Sequence, residues 1–241
     1  MNLSDVFQFN LGWKLSLVYK GHASAALLDS YQEERLPIIA EMLGKTTELF
    51  NKSMEKSGDT TVSLSKFEMT QLGVNCRGSS IIGEDDIRGK TTTVKVSGYN
   101  RDSETAACPG DRAPQVPSLI NAIREDDKRQ TLFDIFSASH HSVLVFAKNY
   151  EEKSALALST FINRLPENTV RSVLILPSES NLKELGVVYD EVFIDSGGYG
   201  PSSYGLPSDQ SYFVVVRPDG VVGARVHEVA GVERYFQKIF S

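Results

Sequence analysis

Two near-continuous apolar runs, HSVLVFA (141–147) and VRSVLILPS (170–178), flank the amphipathic stretch EEKSALALSTFINRL (151–165). Apolar runs without polar alternation mark strands covered on both faces, and a helix between two such strands lets them run parallel. EVFIDS (191–196) reads as a further short strand. SYFVVVRPDGVVGARV (211–226) reads as two β-rich segments joined by the turn sequence Arg217-Pro218-Asp219-Gly220. VAGVERYFQKIF (229–240) reads as a closing helix. The order strand, helix, strand, loop, hairpin, helix predicts an α/β domain with a central mixed sheet flanked by helices.

The first quarter of the chain has a different character. Over residues 6–20, Phe7, Leu11, Leu15 and Val18 share one side at helical spacing, and Trp13 and Leu17 form a second apolar line, so a broadly buried helix is expected. Gly21 reads as its stop and Ser24 as the N-cap of AALLDSYQEERL. Pro37 predicts a break, after which IIAEMLGKTTELF continues as a third helical stretch to about Met54. The resulting division is a helical segment over 1–56, a linker and irregular segment over 57–105 with a short strand at TTTVKVSGY (91–99), and an α/β domain over 106–241.

The chain has 241 residues and a net charge of −6, which disfavours nucleic acid and anionic membranes as partners. No stretch reaches the ~18 apolar residues of a membrane span. Asp5, Gln8, Asn10 and Lys14 spoil any leader-like pattern at the start, so a cytoplasmic protein is expected. Cys76 and Cys108 are the only cysteines and have no His or Cys at metal-ligand spacing, so two free thiols and no metal site are expected.

The strand–helix order from residue 141 is that of thioredoxin, and two groups of residues carry a wider resemblance. Asn10, Leu11, Trp13, Lys14, Leu15, Leu27, Leu28, Tyr31, Glu34, Arg35 and Pro37, all within NLGWKLSLVYKGHASAALLDSYQEERLPI, resemble the segment after the flavin site in class A FAD-dependent aromatic hydroxylases of the phenol hydroxylase type. CPGDRAPQVPSL, SSYGL and VVVRPDGVVGARV resemble the C-terminal thioredoxin-like domain of the same enzymes. The resemblance implies a thioredoxin-like domain following a helical remnant of the flavin monooxygenase core. It also implies FAD as the family cofactor, with Met1 and Asn2 as the remnant of a flavin-facing loop. In the family a Rossmann-like portion precedes this point and supplies the glycine loop that cradles FAD. The expectation is therefore a truncated or split enzyme that binds no FAD tightly by itself, with Trp13 on a helix that packs beneath a nucleotide-binding sheet.

Candidate chemistry is sparse. Where a thioredoxin carries Cys-x-x-Cys, this chain has FAKNYEEKS, so no disulfide exchange is expected. SGGYG (196–200) is followed at once by Pro201 and reads as a surface loop rather than a phosphate cradle. His140-His141 reads as a solvated loop, His22 as a contact at a helix end, and His227 as surface. Glu125-Asp126-Asp127-Lys128-Arg129 reads as a solvated helix end, leading to Leu132, Phe133 and Phe136 turned inward. Trp13, Tyr199 and Tyr204 are the candidate ligand or partner contacts, and no catalytic set emerges. A homodimer or a separate flavin-binding chain is the expected partner. The alternatives are a free-standing thioredoxin-like binding protein, or a repurposed non-redox enzyme acting on an apolar small molecule.

Overall fold

The computed structural model describes residues 3–55, 73–87, 106–123, 129–148, 151–178, 188–207 and 210–240. Met1 and Asn2, the strand expected at 91–99, the charged run 125–128 and the side chain of Phe7 lie outside the described residues. Helix α1 (Leu3–Tyr19) ends at Gly21, which adopts φ +71, and a 3-10 turn over Ala25–Leu28 leads into α2 (Asp29–Glu55). Ser24 opens the 3-10 turn rather than α2 itself. Pro37 does not break the chain, because α2 runs through it. A proline inside a helix deletes one hydrogen bond and crowds the preceding turn. Here Glu34 and Arg35 before it and Ile38 after it are all buried, and tertiary contact holds both sides of the proline in one helix.

The sheet contains β1 (Leu119–Asn121), β2 (Arg129–Gln130), β3 (His141–Phe146), β4 (Val170–Pro177), β5 (Glu191–Asp195), β6 (Tyr212–Val216) and β7 (Val222–Val226). The order across it is β2-β1-β5-β4-β3-β6-β7. Strands β3, β4 and β5 are parallel, and β6 and β7 form an antiparallel hairpin beside β3. The remaining helices are α3 (Leu132–Ile135), α4 (Glu152–Ile162), α5 (Tyr199–Ser203) and α6 (Val229–Gln237). The strands at 141, 170, 191, 212 and 222 and the helices α4 and α6 stand where the apolar pattern places them. The β1–β2 pair extends the sheet past β5 in segments too short to show a period.

Both faces of the sheet are covered, which is why the central strands read as unbroken apolar runs. On one face Val143, Val145, Leu174 and Phe213 meet Leu158, Val232 and Phe236, with Trp13 and Leu17 of α1 beside them. On the other, Leu144, Ile175, Phe193 and Val214 meet Leu132, Tyr204 and Leu206. Of the residues expected inward in α3, Leu132 is in the core, Phe136 is partly buried, and Phe133 is half exposed.

Residues 73–87, read from sequence as linker, lie along β7. The Gly83 N–H donates to the Gly223 carbonyl at 2.7 Å, and the Arg225 N–H to Glu84 at 3.0 Å. The buried Arg225 guanidinium then holds Asp85 through two nitrogens and donates to the carbonyls of Ala107 and Tyr204. Polar residues without period can pack firmly when a buried arginine supplies their partners.

Candidate functional site

Helix α1 does not bury the line of Leu11, Leu15 and Val18. Leu15 is exposed, while Leu11 and Val18 are only partly buried. The buried line is Asn10, Trp13, Lys14 and Leu17, at the same i, i+3, i+4, i+7 spacing. Two of those four side chains are polar, and they face α2 and the β6–β7 turn.

That turn is built by Pro218, Asp219 and Gly220. The Gly220 N–H donates to the Arg217 carbonyl at 2.9 Å and the Arg217 N–H to Val221 at 2.8 Å. Gly220 sits at φ +75, where a side chain is disfavoured. The turn thereby points Arg217 and Asp219 at the two helices.

Glu34 is the centre of what results. Its carboxylate accepts from Lys14 Nζ at 2.9 Å, from Arg217 Nη1 and Nη2 at 2.7 and 3.0 Å, from Asn10 Nδ2 at 2.6 Å and from Ser79 Oγ at 2.8 Å. Arg217 also binds Asp219, and Asp219 Oδ2 accepts from Asn10 at 2.8 Å and from the Trp13 indole at 3.2 Å. The side chains of Lys14, Glu34 and Arg217 have no exposed surface. Arg217 lies 5.3 Å from the Trp13 ring centre, and His141 meets the same ring edge-on at 5.2 Å.

Two carboxylates thus face three cations, since Arg35 Nη2 also stands 3.9 Å from the Glu34 carboxylate, in a site almost wholly shut off from water. Burial alone would raise the Glu34 carboxyl, but Arg217, Lys14 and Asn10 outweigh it and hold Glu34 well below the usual carboxylate range. Burial alone would lower Arg217, and Asp219 and Glu34 more than offset that. Burial does lower Lys14, with Glu34 opposing and Arg217 adding to the effect. Every group here is engaged in holding another, which suits a structural joint rather than proton transfer.

Arg35 reaches from the joint to Cys76 Sγ at 3.1 Å. Burial, with the Glu34 charge next in size, pushes the Cys76 thiol up to about 12. Thiolate is the reactive form, so iodoacetamide at mildly alkaline pH is expected to leave Cys76 unmodified in native protein and to label it in denaturant, as peptide mass mapping would read. Cys108 is also buried, and its thiol contacts Asp111 at 3.2 Å.

Beside the joint a cleft of about 410 Å³ opens between Phe9, Phe133, Phe136, Arg112 and the turn at Pro218, with Arg35 and Asp219 belonging to both joint and cleft. Of the candidate contacts, Trp13 is committed inside the joint. Tyr204 is fully buried against Phe146, with its hydroxyl donating to the Pro114 carbonyl at 3.1 Å. Tyr199 is half exposed and starts α5, so a short helix begins inside SGGYG. Met1 and Asn2 fall outside the described residues. His141 is buried at the head of β3 rather than solvated, because its ring completes an aromatic cluster with Trp13, Tyr235 and Phe236. His227 is half exposed and contacts Asp86 at 2.6 Å. No group of three or more His, Cys, Asp or Glu able to hold a metal occurs among the described residues. No described helix is long and apolar enough to cross a membrane.

A family model described as an FAD binding domain matches residues 1–46, the segment that contributes Asn10, Trp13, Lys14, Glu34 and Arg35 to the joint. A flavin-dependent monooxygenase of Mycobacteroides abscessus is 29% identical over 146 residues, covering 61% of this chain and 25% of that protein. Pentachlorophenol 4-monooxygenase of Sphingobium chlorophenolicum is 27% identical over 245 residues, covering 97% of this chain and 39% of that protein. The chain is similar in sequence to flavin-dependent monooxygenases. It spans well under half the length of these two curated relatives. The fold is shared with aklavinone-11 hydroxylase, solved with FAD and aklavinone, at TM-score 0.63 and 22% identity over 97% of this chain and 39% of that one.

FAD is the cofactor this family resemblance carries. The described part of the matched segment does not fit FAD as a holder of its phosphates. It is helical almost throughout and offers no glycine loop between a strand and a helix. Its buried polar groups are turned onto Arg217 and Asp219 rather than outward.

The joining of the two sequence motifs was missed from sequence. The available signal was Lys14 on the line of Trp13 and Leu17, and Glu34 in a segment that also carries Arg35. Charges on an otherwise buried line require partners.

Proposed function

We propose that this chain is the C-terminal part of a flavin-dependent aromatic monooxygenase of the phenol hydroxylase type. In this reading α1 and α2 form the face on which the flavin-holding sheet rests, whether that sheet belongs to a longer polypeptide or to a separate chain. Residues 106–241 are a thioredoxin-like domain without disulfide chemistry, serving dimer or partner contact. The observation that carries the reading is the Glu34 joint. The motif residues of the FAD-family segment close onto the Arg217–Gly220 turn, so the two modules act as one piece. The face of α1 turned away from the sheet, with Leu15 and Tyr19 at 51% and 90% exposure, is the surface offered to the partner.

Alone, the chain supplies no hydroxylation, since the oxygen chemistry belongs to the bound flavin. The test is to purify it, titrate FAD, follow NADPH oxidation with phenol, and measure its mass in solution by light scattering. The expected outcome is no retained flavin, no phenol-dependent NADPH oxidation and self-association through α1. Stoichiometric flavin with phenol hydroxylation would overturn it. A colourless monomer would remove the dimer role and leave the separate flavin chain as partner. The second reading, a free-standing binding protein, is favoured by the completeness of the joint, in which Trp13 and Glu34 find their partners within this chain.

A further inference from the structure

The cleft beside the joint has aromatic walls from two parts of the chain. Phe9 comes from α1, and Phe133 and Phe136 come from α3 and the residue that follows it. Phe9 and Phe133 are each 52% exposed, although both line a concave surface. Large rings left uncovered in a concavity are apolar area that a ligand can take out of water. The cleft holds about 410 Å³. An apolar cavity of ~150 Å³ takes the six carbons of benzene, so roughly ten to fifteen carbons fit here. The Phe133 and Phe136 rings are tilted by 44° with centres 6.1 Å apart, so they form no parallel slot for a flat fused ring. A chain that bends follows such walls.

Among the described residues, the polar side chains lining the cleft are Arg35, Arg112, Ser137 and Asp219. Asp219 belongs to the joint. Its carboxylate binds Arg217 and accepts from Asn10 and the Trp13 indole, and its side chain is only 4% exposed. Glu34, the other carboxylate nearby, is held by Lys14 and Arg217. Both negative charges are therefore balanced inside the joint. Arg35 is buried, so it adds positive charge at short range rather than contact. Arg112 and Ser137 are only partly buried, and they stand within a ligand's reach. Burial opposes the charge of Arg112 and lowers its pKa. An anion brought against a half-buried guanidinium is screened less than in water, and the hydrogen bond it accepts is charge-assisted. This positive cleft is a local feature, since the whole chain carries −6.

We propose that this cleft binds a medium-chain acyl carboxylate, with its chain along Phe9, Phe133 and Phe136 and its carboxylate on Arg112 and Ser137. A cationic head group is opposed by Arg35 and Arg112, and a neutral one forgoes their attraction. The inference does not use the monooxygenase reading, and no flavin enters its test.

The test titrates the whole chain with octanoate, decanoate, 1-octanol, octylammonium and 2-naphthoate below their micelle concentrations, read by calorimetry and amide chemical shifts. Octanoate is expected to bind about tenfold more tightly than 1-octanol, which has the same chain without the charge, and octylammonium is expected not to bind. From octanoate to decanoate the affinity should rise about four- to fifteenfold, as two further methylenes half to fully buried require. The shifted amides should include Ala113, Ser137, Ala138, Gly220 and Val221. Arg112→Gln should bring octanoate down to the affinity of 1-octanol and leave 1-octanol unchanged. Phe133→Ser, at a half-exposed ring, should weaken both alike. Equal affinity for octanoate and 1-octanol, no gain from octanoate to decanoate, tighter binding of 2-naphthoate than of decanoate, or shifts confined to other parts of the chain would each overturn the proposal. All four are read on unmodified protein, so a variant that fails to fold does not shield it.

Discussion

Replacing Glu34 by alanine is expected to destabilise the folded chain by about 3–5 kcal/mol, the usual cost of removing one partner from a buried ion pair. The mechanism is specific. Lys14, Arg35 and Arg217 stay buried, and only Asp219 remains to balance them. Asn10 and Ser79 lose an acceptor in the same step. Against a typical domain stability of ~5–15 kcal/mol this is a large share. The partly exposed pair Lys45–Glu41 on α2 makes the contrast, because Lys45→Ala should cost no more than about 0.5 kcal/mol. Denaturant midpoints at constant slope measure both. Because Glu34 binds residues on α1, α2 and the β6–β7 turn, the loss should be local first. Amide exchange should accelerate in α1 and the first turns of α2 while β3 and β4 remain protected. A cost under about 1 kcal/mol would show that the joint is not what holds the helices to the sheet.

This joint also marks how far the sequence could be read. Strands β3, β4, β6 and β7 and helices α4 and α6 were legible because both faces of the sheet are covered and the apolar runs are long. Trp13 and Leu17 made half of the buried face of α1 legible, but the other half, Asn10 and Lys14, was not, because periodicity counts only apolar residues. The same applies to residues 73–87, whose place beside β7 depends on Asp85 meeting a buried Arg225 140 positions away. Long-range polar pairing leaves no local pattern. The motif residues stand out in the sequence, but as parts of two separate modules. That Glu34 and Arg217 close on one another could be seen only once the chain was folded.

Acidification should weaken the fold well before the carboxylates titrate, and His141 is the reason. Its ring is fully buried, edge-on to Trp13, Tyr235, Phe236 and Phe240. Desolvation foremost, and then the Arg217 charge, depress its pKa from 6.5 to about 3, with Asp219 and the Thr169 backbone opposing and His140 adding slightly. The unfolded chain therefore binds a proton between about pH 6.5 and 3 that the folded chain refuses. Stability is full above the unfolded value and falls as pH drops through that window, by about 1.4 kcal/mol per pH unit. Glu34 is also depressed, but its contribution is lost only below its unfolded value of 4.5. The interval from pH 6.5 to 4.5 isolates the histidine, and the expected loss across it is roughly 2–3 kcal/mol. His141→Phe should flatten that interval at a cost of only about 1 kcal/mol near pH 7, since the ring keeps its aromatic neighbours and its Nε2 has no hydrogen-bond partner to lose, and only the contact to the Thr169 backbone goes. His140 is depressed too, by burial and then by Arg171, so His140→Gln provides the control and should remove only a minor part of the slope. Urea unfolding at half-unit pH steps measures all three proteins, and an unchanged slope in His141→Phe would place the acid sensitivity elsewhere.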